Sequence, residues 1–266
     1  MLHNLTQLPR YRGLIQSLVA RELKARYRGS FLGFFWSFVN PLLLLLVYSF
    51  VFTFVMPASQ DPRITPYALF MFCGLLPWTW FSASLLESSS VLISGGNLIK
   101  KVLFPAEVLP IVAVLANMVH FFFSLVILGA FLLYYQRPVH PSSLALFPVV
   151  VLIQLILTTG FALILSALTV HFRDIKDLLS NLITFWFFGT PIIYPYFLFP
   201  KISWQGKLLR MNPFTHLVIT YQEILFFGGP VGHFKWLLVL GLLSIVFFLF
   251  GYFIFDRLRD TFAEEV

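Results

Sequence analysis

Leu14-Ile-Gln-Ser-Leu-Val-Ala-Arg21-Glu-Leu-Lys24-Ala-Arg26-Tyr27-Arg28 leads, after Gly29 to Gly33, into an uncharged run from Phe34 to Met56. The first half repeats apolar residues at helical spacing, with Leu14, Ile15, Leu18 and Val19 on one side and Arg21, Lys24, Arg26 and Arg28 over most of the other. Glu22 breaks the pattern, because it falls near the apolar side. The second half, at about 1.5 Å per helical residue, is long enough to cross a hydrocarbon core of about 30 Å. The pair predicts an amphipathic helix lying on a membrane surface, followed by a helix that passes through it, with the basic residues holding their end in the cytoplasm.

Composition extends this reading to the whole chain. Of 266 residues, 59% are hydrophobic and 11% charged, where soluble domains carry roughly 25% charged residues; mean hydropathy is +0.88. The chain reads as an all-α integral membrane protein, because backbone polar groups in lipid must be satisfied within a helix or a closed barrel. The net charge of +7 is spread at the ends of apolar runs and is not interleaved with stacking aromatics, so no nucleic-acid partner is expected. The single cysteine, Cys73, lies in an apolar run and suggests neither a disulfide nor a metal cluster. The long distance from the N-terminus to the first apolar run argues against a cleavable signal peptide.

Six spans are expected, over about 34–56, 66–86, 108–135, 145–170, 179–197 and 235–255. Residues 1–266 read as a single transmembrane domain, with a cytoplasmic N-terminus over 1–33, the six-helix region over 34–255 and a cytoplasmic tail over 256–266. With both termini inside, twelve of the 18 Lys and Arg fall in inner segments and six in outer ones, the bias expected of a multi-pass protein in that orientation. Gly129 and Gly160 lie within spans, where small residues let helices approach closely. The longest outer segment, about 198–234, contains Pro213-Phe-Thr-His216-Leu-Val-Ile-Thr-Tyr-Gln-Glu223-Ile-Leu-Phe-Phe227, ended by Gly228-Gly229-Pro230. It is too short for a seventh span and predicts a re-entrant or interfacial helix, with Asn212 as its cap and Pro213 in its first turn.

Catalytic constellations are missing from the sequence. Gly95-Gly-Asn97-Leu-Ile-Lys100-Lys101 has neither the spacing nor the preceding strand of a phosphate loop, and there are no paired carboxylates within a span. The chain is therefore not expected to be an enzyme or to bind a cofactor. His120, near the middle of the third span, reads as a polar contact between helices in preference to a proton relay. Charge within the spans is scarce: Glu87 falls at the inner end of the second and Glu107 at the start of the third. A transporter coupled to ions needs buried ionisable groups, so energy is expected from a partner acting on the inner loops.

In the first of those loops, Gly95-Gly96 breaks a helix, Asn97 is placed to cap a short one, and Pro105 stops it. Leu98, Ile99, Val102 and Leu103 would form its apolar side, with Lys100 and Lys101 beside it. Two readings fit: a helix docking into a soluble partner, or an interfacial helix with snorkelling lysines. In the second loop, Arg173-Asp174-Ile175-Lys176-Asp177 predicts a compact salt-bridged turn at a helix start. Aromatics make up 18% of the chain and cluster at span ends, as interface belts do. A subset facing a pore could stack against sugar rings, and Trp36 and Trp186 are the first candidates.

Arg21-Glu-Leu-Lys24-Ala-Arg26-Tyr27-Arg28-Gly-Ser-Phe-Leu-Gly-Phe-Phe-Trp36 followed by Pro41, Asn97-Leu-Ile-Lys-Lys-Val-Leu-Phe104-Pro105 with Glu107 and Pro110, Phe172-Arg-Asp-Ile175, Thr190-Pro-Ile-Ile-Tyr-Pro195 and Asn212-Pro213, in this order along six spans, resemble the type-2 ABC export permeases. The branch it is most similar to exports lipid-linked polysaccharides: O-antigen, capsule and teichoic acid.

The resemblance implies a homodimeric, multi-pass permease of the bacterial inner membrane, surrounded by membrane lipids. Its partners would be two copies of a cytoplasmic ABC ATPase, which would hold the ATP and Mg. It implies that Asn97, Leu98, Ile99, Lys100, Lys101, Val102, Phe104 and Pro105 form a coupling helix seated in the ATPase. It implies that the helix with Arg21, Lys24, Arg26, Tyr27 and Arg28 touches the same subunit. Asn212, Pro213 and Glu223 would belong to short outer gate helices between spans five and six. A lipid-linked glycan would pass along a channel at the dimer interface. Two other functions compete: a permease of the same type for a smaller amphiphile, such as a drug or lipo-oligosaccharide, and a membrane scaffold for glycan assembly with no transport role.

Overall fold

The structure is a computed structural model and describes residues 8–55, 62–100, 104–138, 140–199, 203–229 and 231–265. Among these residues all regular structure is helical. The helices are α1 (Arg12–Arg26), α2 (Trp36–Phe50), α3 (Tyr67–Ser94), α4 (Gly96–Ile99), α5 (Val108–Tyr134) and α6 (Pro141–Leu144), then α7 (Phe147–His171), α8 (Ile175–Phe188), α9 (Trp204–Met211), α10 (Pro213–Leu225), α11 (Phe234–Leu258) and α12 (Phe262–Glu265). Among the described residues, five segments can cross a membrane by length and composition: Gly33–Val55, Tyr67–Ser94, Val108–Tyr134, Pro141–His171 and Phe234–Thr261. They correspond to the first, second, third, fourth and sixth expected spans. Met56, at the end of the first, lies outside the described residues.

The fifth expected span, 179–197, is built differently. Helix α8 starts earlier and stops at Phe188 after 14 residues, about 21 Å of helix. The stop is local: Pro191 offers no backbone N–H, and the residue before a proline is disfavoured in the helical region. The freed carbonyls are met by side chains. Thr190 Oγ1 donates to the Trp186 carbonyl at 2.8 Å, Tyr194 Oη to that of Phe188 at 2.8 Å, Asn212 Nδ2 to that of Gly189 at 2.9 Å and Gln222 Nε2 to that of Pro191 at 3.2 Å. Irregular backbone is tolerated in an apolar surrounding when protein groups satisfy it in this way.

Helix α3 is the centre. It packs against α5, α7 and α10, and the principal core gathers around it, with Trp80 stacked on Phe121 at 5.1 Å and Trp78 edge-on to Phe214 at 5.2 Å. Buried aromatics of this size, with Trp80 Nε1 donating to the Val114 carbonyl at 3.1 Å, supply both packing area and a satisfied polar tip. The most extensive helix pair is α7 with α11. It closes on Gly160 and Gly251: a Cβ added at Gly251 would lie 2.5 Å from the Gly160 carbonyl oxygen, and one at Gly160 would lie 3.0 Å from the Phe248 Cα. The close approach expected of Gly160 is therefore present. At Gly129 a Cβ would meet nothing within 4 Å, so that glycine serves no such contact in this chain.

Helix α1 lies against α5, with Leu14, Ile15, Leu18 and Val19 packed on Val108 and Val112, while Arg21, Lys24 and Arg28 are exposed. The apolar side read from the sequence is thus covered by protein. Helices α2 and α8 each bury only two residues. Leu46, Val47 and Phe50 on α2 and Leu178, Leu182 and Phe185 on α8 are all exposed.

Candidate functional site

At the α1 end of the bundle, a charged network ties α1 to two spans. Arg26 pairs with the Glu87 carboxylate on α3, and its Nη1 donates to Asn117 Oδ1 on α5 at 3.1 Å. Asn117 Nδ2 donates to Glu87 Oε2 at 2.7 Å and to the Ala113 carbonyl at 3.0 Å. Glu22, the residue that broke the amphipathic pattern, faces Arg26 from one turn earlier at 3.6 Å. The next residue continues the tie: Tyr27 Oη lies 2.7 Å from Ser37 Oγ and 3.2 Å from His120 Nδ1. His120 thus makes the interhelical contact expected of it. Glu87 is not at the end of its helix, since α3 continues to Ser94.

Two cavities flank this network. One, of about 490 Å³, is lined by Trp36, Asn40 and Thr79 together with Arg26, Tyr27 and His120. The other, of about 350 Å³, brings Arg21 of α1 to Asn97 and Leu98 of α4, with Ser90 and Ser94 between them. Two segments singled out in the sequence, α1 and the 95–105 loop, therefore share a cleft.

The short loop helix is smaller than expected and is capped by another residue. α4 is a single turn with Gly95 at the cap position, and Asn97 lies inside it without capping. Glycine needs no side-chain cap to enter this turn, and the first turn follows α3 directly. Leu98, Ile99 and Phe104 pack against a core cluster built from Leu92, Leu109, Leu163 and Phe255. The side turned outward carries Asn97 and Lys100. Pro105 is buried, while Lys101, Val102 and Leu103 lie outside the described residues. Just beyond, the buried Glu107 reaches Arg259 at 3.7 Å. In the 173–177 loop Asp174 stands at the cap position of α8 without a side-chain cap bond. Among the described residues, no ion pair joins the charges of 173–177. Each points to solvent, where a pair gains little.

At the far end the organiser is Asn212, which caps α10 through Phe214 N at 3.0 Å, with Pro213 in the first turn as expected. The same Oδ1 accepts from Trp186 Nε1 at 2.9 Å, and Nδ2 reaches Thr190 Oγ1 at 2.9 Å as well as the Gly189 carbonyl. Trp186 is edge-on to Phe81 and Phe161, at 5.2 and 5.7 Å. It lines an aromatic cavity of about 590 Å³ with Tyr194, Phe199, Trp204 and Asn212.

α10 itself is almost wholly buried. Its half-buried Glu223 accepts from or pairs with His233 Nδ1 at 2.9 Å, and His216 stacks on Trp236 at 4.7 Å with Nε2 3.0 Å from the Arg210 carbonyl. Burial lowers the pKa of the His216 imidazole, which suits a neutral ring in a stack. Trp36 and Trp186 thus lie in different cavities, and Glu223 in a third. The sequence reading missed the partnership of Arg26 with Glu87 and Asn117. The only signal for it was an isolated carboxylate and an amide in apolar runs.

A family model described as ABC-2 type transporter matches residues 13–226 of the chain. Over the full length of both chains the sequence is 43% identical to the O-antigen export system permease protein RfbA of Myxococcus xanthus. Two proteins of the same name from Klebsiella pneumoniae are 33% and 32% identical, each over 94% of both chains.

Proposed function

The chain belongs to the ABC-2 type transporter family, and from that membership we propose that it is the membrane-spanning permease subunit of an exporter of lipid-linked, O-antigen-like polysaccharide. The observation that carries the reading is the 43% identity over the whole chain to a protein named for O-antigen export. Transport would run across the bacterial inner membrane and draw on ATP hydrolysis, with ATP and Mg held by a separate cytoplasmic subunit present in two copies beside a permease homodimer.

In this reading 1–266 is one transmembrane domain with both termini in the cytoplasm and six crossings. The fifth crossing is α8 continued by the side-chain-satisfied segment after Phe188. The exposed faces of α2 and α8 support a second copy meeting this one there, with the glycan channel between them and Trp36 and Trp186 near it. The outward side of α4, with Asn97 and Lys100, and the exposed Arg21, Lys24 and Arg28 of α1 would seat the ATPase. Closure of the ATPase dimer would then move the spans as rigid bodies. α9 and α10, with Asn212, Pro213 and Glu223, would form the outer gate.

Deleting this chain in its native cell is expected to remove the long-chain surface polysaccharide, seen as loss of the ladder on a gel, and re-expression to restore it. Replacing residues 97–104 is expected to leave the protein in the membrane and ATP hydrolysis running while the ladder stays lost. An unchanged ladder in the deletion strain, or recovery of the intact complex without a nucleotide-binding subunit, would overturn the reading.

A further inference from the structure

We propose that the cavity between the Tyr196–Leu198 turn, α10 and the start of α11 is a subsite for one pyranose ring of the polymer. The proposal rests on the export reading above. The cavity holds about 360 Å³, within the range of small-ligand sites of roughly 300–1,000 Å³. One of its walls is aromatic, with Tyr196 and Phe197 from the turn. Another is polar, with Gln222 and Glu223 from α10. A pyranose has the matching surface, an apolar C–H face and a rim of hydroxyls.

The groups are held in place before any ligand arrives. Glu223 is tied to His233 at 2.9 Å, Gln222 to the Pro191 carbonyl at 3.2 Å, and the Tyr196 ring sits edge-on to His233 at 5.8 Å. The Arg63 guanidinium lies 4.1 Å over one face of Phe197, whose side chain is still 40% exposed. Fixed side chains lower the ordering cost of binding.

A structural role alone does not account for Glu223. Its carboxylate side chain is only 18% exposed on a largely buried helix, where a leucine would fill the same space without desolvating a charge. His233 answers one oxygen, and among the described residues the buried Oε2 has no hydrogen-bond partner. A carboxylate can only accept, so the missing partner is a donor. A sugar hydroxyl is such a donor. Glu223 lies eleven residues after Asn212 on the same helix, about 16 Å along the axis. One extended chain could therefore lie against both this cavity and the aromatic one around Trp186.

The test replaces Phe197 with the photoreactive p-benzoylphenylalanine in the complete exporter, in its native cells, and illuminates during export. The expected result is a covalent adduct carrying the cell's own surface polymer, detected by antiserum against that polymer. The adduct should fall at least fivefold when Glu223→Gln or Tyr196→Leu is added, with the chain's membrane level checked by blot. An adduct of phospholipid alone would overturn the subsite. So would a polymer adduct from the same probe at Trp204 with none at Phe197, which would leave the export reading standing. Absence of polymer adducts at both positions, in a strain whose surface polymer does not depend on this chain, would remove the export reading and the subsite together.

Discussion

The two ends of the bundle solve the same problem with different chemistry. At the α1 end, a formal ion pair, Arg26 with Glu87, is bridged by one neutral amide, Asn117. At the far end a neutral amide, Asn212, stands alone at the hub and serves a helix start, a helix end and a tryptophan. The first tie joins three helices by side chains only. The second holds backbone groups that have no other partner. Removing a tie between side chains leaves the helices themselves intact, whereas removing the hub strands the backbone of two elements, and buried backbone groups left unmade are costly.

The largest effect is therefore expected at the far end. Asn212→Ala removes the cap of α10 and the partners of Gly189 and Trp186, and should destabilise the purified protein by about 3 kcal/mol. Asn212→Asp keeps an acceptor for Trp186 and Phe214 and loses only the donor, so about 1 kcal/mol is expected. Thermal unfolding in one detergent measures both, and equal losses would show that the hub acts through something other than these bonds.

Next comes the charged tie. Glu87→Leu and Arg26→Leu should each cost about 2 kcal/mol, less than the roughly 3–5 kcal/mol of a sealed pair, because 40% of the Glu87 side chain is exposed. The double variant should cost less than the sum of the two, since neither charge is then left alone. Strict additivity would mean that the pair is decorative.

His120→Phe keeps the ring volume and drops the contacts to Tyr27 and Ser37. About 1 kcal/mol is expected, and no change would mean that Tyr27 and Ser37 suffice together. Smallest is Arg21→Ala, on the exposed side of α1, with stability within about 0.5 kcal/mol. Recovery of the ATPase subunit with the chain should fall, which separates a surface for a partner from a structural tie.

The same contrast marks what could be read from the sequence. Asn212-Pro213 announced its own structure, because a cap and a first-turn proline act within a few residues. The apolar side of α1 was legible for the same reason. Glu87 stands out in the sequence as an isolated charge, but its partners stand 61 and 30 residues away, and no local pattern carries that distance. Asn97 has the side chain of a cap, but Gly95, two residues earlier, enters the turn with no side chain at all. The apolar run over 179–197 read as one helix because hydropathy counts side chains. The stop at Gly189-Thr190-Pro191 lies in the backbone, and the groups that make it tolerable, Asn212 and Gln222, come from another element.

One contact limits how the whole bundle can move. At Gly160 and Gly251 no side chain separates the backbones of α7 and α11, so sliding one past the other would drive carbonyl oxygen into Cα, with no rotamer to absorb the step. The two helices thereby become a stator. Any rearrangement within the bundle has to be taken up outside this pair, which stays one piece.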